Sequence, residues 1–272
     1  MKIYIPTRGR QKNQITLSNL PASYLKDTYL VVPHGETGHL YDRVIHTPEH
    51  IDGIAVTRQW LLEGKAHTYE KIIMLDDDLM FNIRIEGTTK LRKPTENDEL
   101  IPMFEAVLDS LDDHALVSVS PRQGNNRCEE EFWLATKSTR FLGINRSKVT
   151  TERFDRTTVM DDYDFTLQLL RNGKVNKVFF NYSQDQPASN AMGGASLYRT
   201  KDILKQNAER LAALHPGFVK VVEKETKSSW FGDGKRTDVT IYWKKAFKSS
   251  EQKLVPNTAG EDIVGKLPWR TV

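Results

Sequence analysis

Short apolar runs that end in polar clusters recur along the chain. Lys2–Pro6 (KIYIP) opens into Thr7-Arg8-Gly9-Arg10, the pattern of a buried strand feeding a basic loop. Residues 29–33 (YLVVP) repeat it ahead of His34-Gly35, and Lys71–Leu75 (KIIML) runs straight into Asp76-Asp77-Asp78. Leu116–Pro121 (LVSVSP) alternates as a strand does, and residues 178–182 and 238–243 (DVTIYW) predict two more. Between these runs the period lengthens to that of a helix. Ile54–Leu62 predicts a short amphipathic helix stopped at Gly64. Over residues 95–113, Leu100, Ile101, Phe104, Val107, Leu108 and Leu111 share one helical face, with Pro102 in the first turn. Residues 160–173 carry acids at the start and Arg171-Asn172-Gly173 at the end, which suits the helix dipole and a glycine cap. A further helix, Lys201–Leu214, stops before His215-Pro216-Gly217.

Strands alternating with helices predict an α/β fold with a mainly parallel sheet, whose ligands bind at the carboxyl ends of the strands. The polar clusters after the first three strands fall at those ends.

Composition narrows the classes. The 272 residues carry 39 Lys and Arg against 36 Asp and Glu, a net charge of +3, so the balance neither demands nor excludes a polyanionic partner. The single cysteine, Cys128, excludes a disulfide framework and a multi-cysteine zinc site, and Glu129-Glu130-Glu131 beside it predict a raised, inert thiol. No apolar stretch approaches the ~18 residues of a membrane span. The start, MKIYIPTRGR, does not read as a signal peptide, so a cytoplasmic globular protein is expected. Neither a P-loop nor a dinucleotide fingerprint occurs, and the histidines show no metal-binding spacing.

Two acidic clusters carry the candidate chemistry. Three carboxylates leaving a buried strand repel one another, and a divalent cation relieves that repulsion. In an extended chain Asp76 and Asp78 point one way and Asp77 the other, so Asp76 and Asp78 are the candidate ligands for Mn²⁺ or Mg²⁺. Asp161, Asp162 and Asp164 open a helix; three acids in four residues exceed what capping needs, and their repulsion predicts at least one raised pKa, suited to a general base. Thr7, Arg8, Arg10 and Arg58 lie at strand or helix ends, where arginine forks suit phosphate.

IPTRGR from Ile5, GIAVTRQW from Gly53, IIMLDDDL from Ile72, FLGINRSK from Phe141 and MDDYDFTLQLLRNG from Met160 together resemble a GT-A glycosyltransferase with its D-x-D motif. Residues 190–196 (NAMGGAS), YRT from Tyr198, LHPGFVK from Leu211 and RTDVTIYWKKA from Arg236 are similar to the phage and kinetoplastid transferases, associated with TET/JBP oxygenases, that glycosylate hydroxymethylated bases in DNA. The resemblance implies a GT-A domain over 1–198 and a C-terminal extension over 199–272 that packs on it and contacts the acceptor. It implies that Asp76 and Asp78 serve the metal and the nucleotide sugar, with Asp77 beside them. Thr7, Arg8, Arg10 and Arg58 are expected around the nucleotide, and Asp162 as the base, held by Asp161 and Asp164. GT-A enzymes often add a late histidine ligand; the segment after Tyr182 offers Asp185 or Asn190 instead.

The expected reaction moves a sugar from a nucleoside diphosphate sugar, a UDP-sugar, to the hydroxyl of a hydroxymethylated pyrimidine in DNA. Basic stretches supply DNA contacts: residues 122–127 with Arg122, Asn125 and Arg127, then Arg146–Lys148, Lys235-Arg236 and Lys244-Lys245. Gly193, Gly194 and Arg199 join them through the resemblance. Trp230, Phe231 and Trp243 are candidate stacking platforms, with core packing favoured for Trp243. A transferase for protein or polysaccharide shares every N-terminal motif. A nucleotidyltransferase or nuclease also uses clustered aspartates, and a non-catalytic DNA-binding module leaves both clusters unexplained.

Overall fold

A computed structural model describes residues 1–187, 200–226 and 234–254. The first half of the chain forms β1 (Lys2–Pro6), α1 (Ile15–Ser18), α2 (Ala22–Leu25), β2 (Thr28–Val32), β3 (Val44–His46) and α3 (Ile54–Leu62). Next come β4 (Lys71–Leu75), β5 (Met80–Arg84), β6 (Leu91–Arg92), α4 (Ile101–Ser110), β7 (Leu116–Pro121), β8 (Phe132–Leu134) and β9 (Phe141–Asn145). The chain continues through α5 (Asp161–Arg171), β10 (Lys177–Asp185) and α6 (Lys201–Leu214). It closes with β11 (Val219–Glu225), β12 (Lys235–Ile241) and α7 (Trp243–Leu254).

Ten strands form one sheet in the order β3-β2-β1-β4-β9-β7-β10-β5-β6, with β8 added alongside β10. Only β5, β8 and β9 run against the rest, so the sheet is mainly parallel. Alternation along the strands sorts the core into two layers. Ile3, Ile5, Ile73, Leu75, Val117 and Val119 pack against Met103, Phe104 and Val107 of α4. Tyr4, Ile72, Met74, Leu116 and Ile144 face Leu61 of α3 and Phe165 and Leu169 of α5. Gly143 in β9 lets α4 come this close: a Cβ there meets Val107 Cγ1 at 2.8 Å and the Val117 carbonyl at 3.1 Å.

Helix α5 is buried on two flanks. Phe165 and Leu169 face the sheet, whereas Leu167 and Leu170 pack with Ala208 and Leu211 of α6, Val219, Val239 and Ala246. The β11–β12 hairpin, α6 and α7 therefore cover the outer side of the helix that carries the second acidic cluster.

The expected segment 95–113 resolves into a 3₁₀ turn, Asn97–Leu100, closed by a Glu96–Glu99 capping box and followed by α4, with Pro102 in its first turn. The strand expected at 238–243 lies two to three residues earlier, and Trp243 opens α7 instead. Trp243 is partly buried against Tyr163, edge to face at 5.9 Å, which is the packing role favoured for it. Among the described residues no helix is long and apolar enough to cross a membrane.

Candidate active site

The first acidic cluster sits where β4 ends. The Asp76 amide donates to the Arg140 carbonyl at 3.0 Å, and the chain then turns at Asp77 and Asp78. Because it turns, strand alternation does not govern these three side chains. Asp77 is buried and accepts from the Thr7 hydroxyl and from Arg10, both at 2.5 Å, while Asp78 meets Arg10 at 3.2 Å. The Thr16 hydroxyl donates to the Asp76 carbonyl at 2.5 Å and accepts from the Leu79 amide at 2.7 Å. Asp77, Thr7, Arg10 and Thr16 thus fasten the loop after β1 to the turn after β4. Burial pushes Asp77 up to about 7 against the pull of Thr7 and Arg10. Thr7, Arg10 and Asp77 were expected to touch the nucleotide; their polar atoms are engaged with one another.

Arg58 joins the two acidic clusters. It projects from α3, is buried, and donates from Nη1 to Asp161 Oδ2 and from Nη2 to Asp76 Oδ1, each at 2.6 Å. Burial favours its neutral form, but Asp161, Asp76 and Asp162 outweigh that and raise its pKa further. Asp161 is raised to about 6, first by burial and then by the Asp162 charge, with Arg58 opposing. Asp76 is raised by burial and by the charges of Asp78 and Asp162, with Arg58 and Arg140 opposing. At least one acid of the second cluster is therefore raised as expected, although desolvation outranks repulsion as its cause.

Asp162 stands next to this bridge at the start of α5. Its Oδ2 accepts from the Thr139 hydroxyl at 2.5 Å and its Oδ1 from the Tyr163 amide at 2.9 Å, which fixes the carboxylate while leaving it only half-buried. Met160, which precedes α5, and Arg140, whose carbonyl holds the Asp76 amide, have φ values of 64° and 63°. Left-handed backbone at a non-glycine residue costs energy and persists where the surroundings over-determine it.

Asp164 has a different place. It is fully buried, accepts from Gln168 at 2.9 Å, meets His215 Nε2 at 2.7 Å and pairs with Arg156 at 3.1 Å. It pins α5 to the segment after α6 and does not join the acids around Arg58. Asn125, expected at the acceptor, is also fully buried, its amide donating to Ser120 Oγ at 2.6 Å and to the Phe180 carbonyl at 2.9 Å. Arg146, expected at a DNA backbone, donates to the carbonyls of Leu62, His67 and Tyr69 and closes the end of α3. Arg8 forms an ion pair with Asp52 at the surface, and Arg122 pairs with Asp185 at 2.9 Å. Arg127 lies on the 3₁₀ turn Asn125–Arg127. Gly193, Gly194, Arg199, Trp230 and Asn190 lie outside the described residues. Cys128 is buried, its thiol pushed up to about 12 by burial and Glu130.

Thr139, Arg140 and His215 are the residues the sequence did not single out. Thr139 and Arg140 precede a strand with no motif of their own. His215 stood in view only as a helix stop.

Asp76 and Asp78 offer hard carboxylate oxygens close enough for one charge to raise the other, a donor pair suited to a small divalent cation that keeps water or phosphate oxygens for its remaining positions. Among the described residues no three acidic, histidine or cysteine side chains converge into a complete protein cage.

The family model described as TET-Associated Glycosyltransferase matches residues 1–194. No curated protein matches the chain. Among solved structures, glucosyl-3-phosphoglycerate synthase from Mycobacterium tuberculosis, in complex with Mn²⁺, UDP and phosphoglyceric acid, is similar with a TM-score of 0.50 at 11% identity, covering 88% of this chain and 86% of that one. S. aureus TarS 1-349 gives a TM-score of 0.45 at 13% identity, covering 78% and 66%. The likeness at this identity is one of fold, the GT-A glycosyltransferase fold.

Proposed function

This chain belongs to the TET-associated glycosyltransferase family, and from that premise we propose that it transfers a sugar from a UDP-sugar to the hydroxyl of a hydroxymethylated pyrimidine in DNA. The observation that carries the reading is the Arg58 bridge, which gathers Asp76 and Asp161 beside the half-buried Asp162 at the carboxyl end of the sheet. A binding module has no need of that arrangement.

In this reading residues 1–198 form the transferase domain and 199–272 an extension, whose described elements α6, β11, β12 and α7 buttress α5. Asp162 takes the proton of the acceptor hydroxyl as its oxygen bonds to the anomeric carbon and the carbon–phosphate-oxygen bond breaks, its electron pair leaving with the diphosphate. A single displacement of this kind inverts the anomeric centre. Thr139 and the Tyr163 amide orient the carboxylate, and Asp161, neutralised by Arg58, keeps a second negative charge from competing for the proton. Asp76 and Asp78 would hold Mn²⁺ or Mg²⁺, which when bound neutralises the charge that grows on the leaving diphosphate. The M. tuberculosis synthase of this fold binds Mn²⁺ and UDP. Arg8 is the donor-side cation: its surface pair with Asp52 is cheap to exchange for a phosphate.

The test is a donor and acceptor screen. The full chain is incubated with UDP-, GDP- and ADP-sugars and Mn²⁺ or Mg²⁺, with DNA bearing 5-hydroxymethylcytosine, 5-hydroxymethyluracil or neither. A sugar-sized mass gain on hydroxymethylated DNA alone, lost with chelator, is the expected outcome. Transfer to protein or polysaccharide with none to DNA overturns it.

A further inference from the structure

Beside the acidic site lies a cavity of the opposite charge, with a volume of about 590 Å³. That is room for a ligand of one or two rings. The ends of β7 and β10, the turn at Gly124 and the segment between β8 and β9 enclose it. Arg122, Arg127, Lys137 and Arg140 line it against one carboxylate, Asp185, and that carboxylate is taken by Arg122.

No described carboxylate lies within ion-pair distance of the other three cations. Arg140 donates to the neutral Gln184 amide oxygen at 3.3 Å, and the Lys137 ammonium stands 4.9 Å from the Tyr163 ring. Among the described residues the cavity lining therefore carries four cationic side chains and one carboxylate. One wall is apolar: Trp133 and Phe180 pack with ring centroids 5.0 Å apart, and the indole N–H is committed to Glu130 at 3.1 Å, which fixes its plane.

The cavity is tied to the chemistry through its own lining. Arg140 carries the carbonyl that holds the Asp76 amide, its neighbour Thr139 holds Asp162, and Tyr163 under Lys137 is the residue after Asp162. We infer that this cavity is the track of the acceptor strand: Arg127, Lys137 and Arg140 hold successive phosphates of a single DNA strand, and the wall of Trp133 and Phe180 receives a base flanking the one presented to Asp162. The inference rests on the DNA-acceptor reading above. A strand is favoured over a free phosphate because the cations come from separate segments around the rim. A single strand is favoured over a duplex because an apolar wall inside a recess takes an unstacked base.

Salt dependence separates this from its rivals. Each phosphate contact on single-stranded DNA adds about −0.7 to the slope of log affinity against log salt. Three contacts therefore predict that raising salt from about 50 to about 200 mM weakens binding of a fluorescent hydroxymethylated single strand by about 18-fold. Arg127→Ala or Lys137→Ala should each reduce that factor to about 7, and the double variant to about 3. Arg127→Lys should keep the wild-type factor, since the charge remains. Circular dichroism melts check folding; if the alanine variants do not fold, Arg127→Gln and Lys137→Gln carry the same readout. If wild-type protein binds and modifies DNA but the variants keep its salt dependence, the cavity is not the track and the DNA reading stands. If free UDP displaces the strand in direct competition, the cavity belongs to the donor and the inference fails. If wild-type protein transfers sugar to another acceptor and binds no DNA, the DNA reading falls and this inference with it.

Discussion

Replacing Arg58 with methionine tests the bridge between the clusters most directly. Methionine matches the stem of arginine but leaves Asp161 buried with no counter-charge and Asp76 without its closest one. Removing one partner of a buried pair costs about 3–5 kcal/mol. The Arg58–Asp161 pair belongs in that class, both side chains being 5% exposed. Asp76, at 30% exposed, recovers part of its loss through water. Urea denaturation of Arg58→Met at pH 8 should therefore show a loss of about 3–5 kcal/mol. The pH dependence has a defined sign. Asp161 already sits at about 6 in the folded protein, above its value in an unfolded chain, so the folded state gains relative stability as pH falls through that value. Without Arg58 the folded value rises further, and the variant's deficit should shrink at pH 5.5, where Asp161 takes a proton. Asp161→Asn added to Arg58→Met should restore most of the stability at pH 8, because the carboxylate still without Arg58, Asp76, is partly exposed to water. A variant within about 1 kcal/mol of wild type at pH 8, or a double variant no better than the single, refutes the assignment of Arg58 as the neutralising bridge.

Other substitutions separate chemistry from architecture. Asp162→Asn should slow single-turnover transfer on the order of 10²–10⁴-fold with an unchanged melting temperature; near-normal transfer leaves Asp162 without its role as base. Asp164→Ala should do the reverse, losing about 3–5 kcal/mol by denaturation because His215 and Arg156 lose their buried partner, while folded molecules still turn over. Gly143→Ala should cost about 1–3 kcal/mol, since its methyl meets Val107 and the Val117 carbonyl, and Val107→Ala in the same chain should recover part of it. Glu152 is held down at about 2 by Asn172, Lys174 and backbone amides despite its burial. It contributes up to about 3 kcal/mol above its unfolded pKa, lost as pH falls towards 2, so Glu152→Gln should be less stable at pH 7 and equal to wild type near pH 2.

The central parallel strands β1, β2 and β4 were legible because they are buried and read as apolar runs, and β7 because it alternates. β1, α3, β4, β7 and α6 lie at the boundaries their patterns predict. β3, β5, β6, β8, β9 and β11 carry no run that marks them. β8 has three residues, β5 follows the aspartates without a turn signal, and β9 is interrupted by Gly143. Helix α7 is hidden by its charge: Lys244-Lys245 reads as a basic patch, although Trp243, Ala246, Phe247 and Ser250 keep the i, i+3, i+4, i+7 spacing of a buried face. Both acidic clusters were visible as clusters. Their partition was not, because Arg58 and Asp161 are 103 residues apart and no local pattern reports that one guanidinium joins them. Alternation separates Asp77 from Asp76 and Asp78 in the sequence, but the partners come from distant segments: Asp77 meets Thr7 and Arg10, Asp78 meets Arg10, and Asp76 meets Arg58.

The two-sided burial of α5 has a consequence for biosynthesis. Most of the residues that cover Leu167 and Leu170 are made after them, so a nascent chain that has already produced both acidic clusters still exposes these side chains to water. Each forgoes about 1.5–3 kcal/mol of burial until α6, the hairpin and α7 leave the ribosome. His215, the partner of Asp164, arrives in the same late stretch. The helix bearing Asp162 thus acquires its outer support only once α6, the hairpin and α7 have been made, and a ribosome stalled before α6 would carry both carboxylate clusters with that helix covered on one flank.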